Sequence, residues 1–204
     1  PMSESEPGKI LHELRKGELS NIGALPFKKY YGSVDSTFLW IWLLELYLER
    51  TADWETIERL WPSFELAASW TDQTRDLSSD GFYTYLKRNP DGLDNQCWKD
   101  SWDSISHKDG RLAKGPLAIS EVQGYAYRAF IGAERLFRKK GMKDKANAFQ
   151  EKANRIKKAF NEKFWSDKMG FFALALDGEG ARCEVKSSNI GQCLATGIID
   201  KDRV

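Results

Sequence analysis

Residues 38–48 read FLWIWLLELYL, a run whose only charge is Glu45. A helix built from this stretch is apolar all round, which suits a helix enclosed by other protein rather than one lying on a surface. The segment after it has the opposite character. Trp54, Ile57, Trp61, Phe64 and Ala68 recur at spacings of three and four and leave Glu55, Glu58, Arg59 and Glu65 for the other face, the pattern of an amphipathic helix. An inner helix followed by an outer one is therefore expected. Pro62 falls inside the outer segment, where its missing N–H kinks the helix or splits it in two.

The alternation repeats downstream. Residues 117–137, LAISEVQGYAYRAFIGAERLF, are apolar over most of the circumference, and Met142, Ala146, Phe149, Ala153, Ile156, Phe160 and Phe164 then form one stripe among lysines and glutamates. Each pair is followed by a Gly-aromatic-aromatic strand signal, Gly81-Phe82-Tyr83 before TYL and Gly170-Phe171-Phe172 before ALAL. A hairpin plus a short β element thus occurs twice, about 90 residues apart, and a third hairpin begins near Ser188. The expectation is an almost entirely helical, all-α chain: an α/α toroid with short β elements between helix pairs, residues 1–204 forming one domain. Helix-pair solenoids that bind other proteins are the competing architecture. Their units run to about 34–47 residues with short turns. Here the link over residues 72–116 is long, and long links are functional more often than connective.

Composition narrows the function classes. With 41% apolar and 30% charged residues, the 204-residue chain has the balance of an ordinary globular protein. Its 31 basic and 30 acidic residues leave a net charge of +1, and no Lys/Arg run makes a phosphate-tracking stripe, so nucleic acid is not an expected partner. Cys97, Cys183 and Cys193 are an odd number without C-x-x-C spacing, which suggests neither a disulfide framework nor a zinc site and reads as a reducing, cytoplasmic setting. The N-terminal PMSESEPGKI lacks the basic start and apolar stretch of a signal peptide, and no apolar run reaches the roughly 18 residues of a membrane span. Pro1 ahead of Met2 reads as a residue added in cloning. His12 has no metal-spaced neighbours and no HExxH pattern occurs, so no metal is expected; the DGEG at 177–180 opens no phosphate-binding helix, so no nucleotide cofactor is either.

The long link contains NQCWKDSWDS at residues 95–104, two tryptophans and two aspartates with no helical or strand period. A stacking surface beside an acid is what sugar chemistry uses; a tight polar loop is the other reading. Three stretches extend the comparison: YYGSVDSTFLWIWLLELYLERTADWE (30–55), GLDNQCWKDSWDSISHKDGRLAKGPLAISEVQGYAYRA (92–129) and SSNIGQCLATGII (187–199). In this order they resemble the catalytic domain of bacterial amylo-α-1,6-glucosidases and glycogen-debranching-related proteins. That group is similar in turn to trehalases and processing glucosidases, inverting glycoside hydrolases on a six-hairpin (α/α)6 barrel.

The resemblance implies an oligosaccharide or polysaccharide substrate, hydrolysis of an α-glucosidic bond and no cofactor. Inversion needs one protonated carboxyl for the leaving oxygen and a second carboxylate about 6.5–9.5 Å away to activate water. Matching the family's W-K-D-S places the acid on Asp100, with Asp103 as the rival because S-W-D-S also resembles the W-D-x-S of trehalases. Trp98 and Trp102 flank Asp100, where apolar rings hold a carboxyl's proton, while Lys99 would act against it. Implied substrate binders are Tyr31 and Asp35 of Y-G-S-V-D-x-T, Trp98, Lys99 and Trp102 of the loop, and Glu121 and Gln123 of E-V-Q-G-Y. Asp35 is equally an N-cap candidate, with Ser36 and Thr37 as rivals. Glu121 and Gln123, inside an apolar helix, need partners that sugar hydroxyls or a neighbouring loop would supply. His107 reads as solvated or bonded to backbone, and Trp40 and Trp42 read as core. The chain departs from the family pattern at Cys97 (commonly Gly), Phe38 (commonly Pro) and Cys193 (commonly His). Two hairpins and the start of a third cannot close a ring of six, and the family's general base falls beyond Val204. The chain is thus expected to act with the remainder of the barrel or as a homo-oligomer, or else to be a non-catalytic carbohydrate-binding or assembly module.

Overall fold

Strand β1 (Glu13–Leu14), the single-turn helix α1 (Glu18–Asn21) and strand β2 (Lys29–Tyr30) open the chain, with β1 and β2 paired antiparallel. The computed structural model describes residues 3–25 and 27–204, so the Pro1–Met2 pair lies outside it. Helices α2 (Ser36–Thr51) and α3 (Trp54–Gln73) follow; then, after a long link, strand β3 (Ala118–Ile119) runs directly into α4 (Ser120–Lys139), and α5 (Lys143–Lys163) returns. Strands β4 (Trp165–Ser166), β5 (Phe171–Phe172), β6 (Ala175–Leu176) and β7 (Arg182–Cys183) precede α6 (Asn189–Thr196).

About 46% of the chain is helical, so it is broadly but not almost entirely so. The difference lies in residues 74–117, which hold isolated bridges, Leu77 to Tyr83 and Tyr85 to Leu117, instead of helices or strands. The Gly81 signal yields these bridges because each pairing partner is a single residue of irregular chain. The Gly170 signal yields a true strand: β5 pairs with β4, Trp165 opposite Phe172. Helix α3 is one helix, not two. Asp53 caps it by accepting from the Thr56 N–H at 3.0 Å. Pro62 sits on its exposed side, where water can satisfy the carbonyl that proline leaves without a donor.

Helix α4 is the centre of the packing. It contacts α2, α5 and α6, and most of its residues are buried. Two glycines allow the close approach: a Cβ on Gly132 would stand 3.1 Å from the Glu45 Cβ of α2, and one on Gly124 would stand 3.0 Å from the Thr196 Oγ1 of α6. Glu45, the one charge in the opening run, is buried and paired with Arg128 at 2.9 Å and Arg135 at 2.7 Å of α4. Phe38, Trp61, Phe64, Phe130, Phe137 and Phe149 join α2, α3, α4 and α5 in one aromatic core. On the far side, α3 and α5 are linked by Lys145–Glu65 and Lys152–Asp72, both at 2.7 Å.

Helix α2 is less enclosed than its composition suggests. Leu39, Leu43 and Tyr47 lie one turn apart on an exposed stripe, with Leu43 63% exposed. Only α3 and α4 pack closely on this helix, so one apolar side has nothing over it among the described residues. Trp40 and Trp42 are partly buried against the core. Among the described residues, no helix is long and apolar enough to cross a membrane.

Candidate functional site

The three-stranded antiparallel sheet β3-β6-β7 holds the start of α4. Ile119 is extended, with no side-chain cap, and the Ser120 N–H donates to the Leu174 carbonyl at 3.1 Å. This junction brings Glu121 into the first turn, fully buried. Neither carboxyl oxygen has a hydrogen-bond partner among the described residues, and the same holds for Ser120 Oγ and Asn189 Nδ2. Burial first of all pushes the Glu121 pKa up to about 7. The Asn189 amide and the Glu121 backbone temper the rise, Asp35 adds to it, and Lys99 opposes it. Asn189 is near enough to act on the carboxyl without making a hydrogen bond of good geometry to it. A group so placed holds a proton near neutrality and remains available as donor or acceptor.

Lys99 reaches the same cluster from the link. Its Nζ donates to Ser187 Oγ at 3.2 Å, and Ser187 Oγ in turn donates to the Asn189 side-chain carbonyl. The WKDS loop, the SSN turn ahead of α6 and the Glu121 turn of α4 are thus connected. Asp35, at the start of α2, acts on the Glu121 carboxyl through its charge. Its side chain caps nothing; it accepts from Ser33 Oγ, while that same oxygen accepts the Ser36 N–H at 3.2 Å. Ser36 and Thr37 also miss the capping role, since Ser36 Oγ donates to the Ile10 carbonyl and Thr37 Oγ1 accepts the Ile10 N–H. The Val34 N–H donates to the Gln96 carbonyl at 2.9 Å, so this stretch also lies against the loop. Tyr31, half-buried, donates its N–H to Ser3.

The loop itself is clasped from behind. Asn95, buried, accepts from Tyr85 Oη at 2.6 Å and donates to the Ser101 carbonyl at 2.6 Å and to Ser104 Oγ at 3.1 Å. Ser104 Oγ donates to the Lys99 carbonyl at 2.6 Å. Both carbonyls flanking Asp100 are therefore occupied, which fixes the backbone on either side of it. The Asp100 and Asp103 side chains are exposed and form no hydrogen bond or ion pair among the described residues. Trp98 and Trp102 are 54% and 67% exposed and so enclose no apolar pocket around Asp100. Lys99 Nζ lies 5.9 Å from the Trp98 ring.

Gln123 has a different task from the one its motif implies. Its amide accepts the Tyr83 N–H at 3.0 Å and donates to the Tyr83 and Ile119 carbonyls at 2.8 and 3.0 Å. It is fully buried and binds the link to α4. Cys97 does not strain the loop, since positive φ among the described non-glycine residues occurs at Glu4 and Ala52. Burial, then Glu121, pushes its thiol up to about 12. His107 is not simply solvated: its Nε2 lies 3.2 Å from Asp177. Sequence reasoning passed over Asn95, Ser104, Tyr85 and the Ser187–Asn189 turn. Asn95 and Ser104 are small polar residues inside the motif, and their roles depend on partners that folding brings together.

The family model described as amylo-alpha-1,6-glucosidase matches residues 9–192. The chain belongs to the amylo-alpha-1,6-glucosidase family. Solved structures agree at the level of fold. A GH78 family rhamnosidase of Bacillus sp. GL1 matches with a TM-score of 0.65 and 16% identity over 91% of this chain. A protein titled sialidase matches with a TM-score of 0.59 and 15% identity over 78% of it. The amylo-alpha-1,6-glucosidase family chain spans only 18% and 14% of the lengths of those two. No curated protein matches it.

Proposed function

We propose that this chain supplies the acid side of a glycosidase site, within an α/α toroid that hydrolyses α-glucosidic bonds with inversion. The observation that carries the proposal is the hydrogen-bond chain from Lys99 through Ser187 to Asn189, joining the link to the turn ahead of α6, beside a loop that is clasped on both sides of Asp100. Family membership gives that arrangement its chemical sense.

In this mechanism Asp100, with Asp103 as alternative, protonates the leaving oxygen of the scissile bond. Lys99, Asp35 and Tyr31 bind hydroxyls of the sugar beside it, Trp98 and Trp102 offer ring faces, and Glu121, fully buried, meets a hydroxyl when the loop over it opens on binding. Glu121 suits this task because its unpartnered oxygens make a sugar hydroxyl a net gain rather than an exchange of hydrogen bonds. The exposed Asp100 loop and the bare stripe of α2 are the surfaces where further helices would close the ring. The water-activating carboxylate belongs to those helices, supplied by the remainder of a barrel or by a second copy. Gln123 is left out of the binding set, because its amide is taken up by backbone.

The test is a calorimetric panel of maltose, isomaltose and trehalose against the chain, with glucose release measured in parallel. Saturable binding with turnover that falls by about 10² to 10⁴ in Asp100→Asn supports the acid assignment. Binding without turnover is the expected result for the chain by itself when the water-activating carboxylate lies on other helices; binding without turnover once those helices are supplied favours a carbohydrate-binding module, and an absence of binding removes the proposal.

A further inference from the structure

Folding gathers onto one face cations that the sequence keeps apart. Lys108 and Arg111 come from a hairpin of the link, Lys168 from the β4–β5 turn, and Arg182 and Lys186 from β7 and the chain after it. They line two open clefts of about 480 and 520 Å³ that share Lys108, Lys168 and Glu184 and so form one groove. Five cations there meet two carboxylates, Asp109 and Glu184, an excess of three where the whole chain carries +1. Both carboxylates are already engaged. Asp109 accepts the Arg111 backbone N–H at 3.1 Å and its Nε–H at 2.7 Å, and Glu184 accepts from Ser166 Oγ at 2.7 Å with Lys168 Nζ at 3.8 Å. Arg182 donates from Nε to the Lys163 carbonyl at 2.6 Å, a partner without charge. Lys108 and Lys186 make no hydrogen bond or ion pair among the described residues, and Lys186 Nζ lies 5.5 Å from the Phe171 ring centroid. The hairpin that presents Lys108 is braced: the His107 N–H donates to the Arg111 carbonyl at 2.8 Å, and His107 Nε2 lies 3.2 Å from Asp177.

Such a groove suits a guest that carries several negative charges in a row. Its cations are spread along two clefts, so a single small anion would meet only some of them. Met169 and Val185 line the second cleft and offer the guest an apolar contact beside the charges. No Phe, Tyr or Trp lines either cleft, so nucleic-acid bases would have no such ring to stack on. We propose that this groove docks an acidic peptide segment of a partner protein, its carboxylates reaching Lys108, Lys168 and Lys186 and an apolar side chain resting on Met169 and Val185. The groove is lined by none of Asp35, Lys99, Asp100 and Glu121, so the proposal is independent of the glycosidase reading.

The experiment is fluorescence anisotropy of the full chain with a fluorescein-labelled peptide of Glu-Glu-Leu-Ser repeats, with Gln-Gln-Leu-Ser repeats and a labelled oligothymidylate as comparisons. One variant combines Lys108→Glu with Lys168→Glu. A control variant combines Lys139→Glu with Lys143→Glu, the same change of net charge outside the groove. All four positions are exposed, so both variants keep the fold. The acidic peptide is expected to bind saturably, the groove variant to weaken it about tenfold and the control by less than about twofold. Binding should also weaken as salt rises, because exposed charges are screened. Equal weakening by both variants overturns the proposal in favour of a general response to net charge. It is equally overturned if the acidic peptide does not bind or if the Gln repeats bind as well. Tighter binding of the oligothymidylate overturns it in favour of a nucleic acid.

Discussion

A buried carboxyl with a pKa near 7 gives stability a definite dependence on pH. The unfolded chain loses the Glu121 proton near 4.5, whereas the folded chain keeps it to about 7. Between those values the folded state binds more protons, so stability is fully present below pH 4.5 and is lost as pH rises through 7. The size of the loss is about 3 kcal/mol. Glu121→Gln cannot titrate, so its stability relative to wild type should rise by up to about 3 kcal/mol from pH 4 to pH 8; urea unfolding at both pH values checks this, and parallel pH profiles would refute it. Asn95 is the second residue on which the site depends. Asn95→Ala deprives Tyr85 Oη, Ser104 Oγ and the Ser101 carbonyl of a partner. The expected cost is about 2–4 kcal/mol by denaturant unfolding, accompanied by weaker saccharide binding. A change under about 0.5 kcal/mol would mean the clasp contributes little.

Helices α2 and α4 show what a composition pattern can and cannot say. The apolar circumference of residues 117–137 marks an inner helix, and α4 is buried on nearly all sides because α2, α5 and α6 surround it. The equally apolar 38–48 run forms α2 just as expected, yet Leu39, Leu43 and Tyr47 stay exposed. Apolarity records that a face is to be covered; it does not name what covers it. The stripe at α2 is therefore a candidate for self-association or for contact with further helices. Leu43→Lys should leave unfolding free energy within about 0.5 kcal/mol, since the residue is already exposed, and should shift the sedimentation profile toward monomer. An unchanged profile that is already monomeric at high concentration would count against a sticky α2 face.

At the scale of the whole molecule, the hairpin order and the three motif stretches were legible because helical period and local spacing are properties of the chain itself. The site was legible only in part. Asp35 and Lys99 act electrostatically on Glu121, but the Asn95 clasp, the Ser187–Asn189 turn and the use of Gln123 by backbone depend on partners brought together by folding. Trp98 and Trp102 likewise read as a pair flanking Asp100, while the fold sends Trp102 to a cleft of its own. The central claim is that Asp100 faces a glycosidic oxygen while Glu121 holds the adjoining sugar. It is tested most directly by a crystal structure of the Asp100→Asn variant with isomaltose or maltose bound. The account predicts the bridging oxygen within about 2.6–3.2 Å of the residue 100 side chain and a hydroxyl against Glu121; a bridging oxygen placed instead at Asp103, or a sugar bound away from both loops, would contradict it.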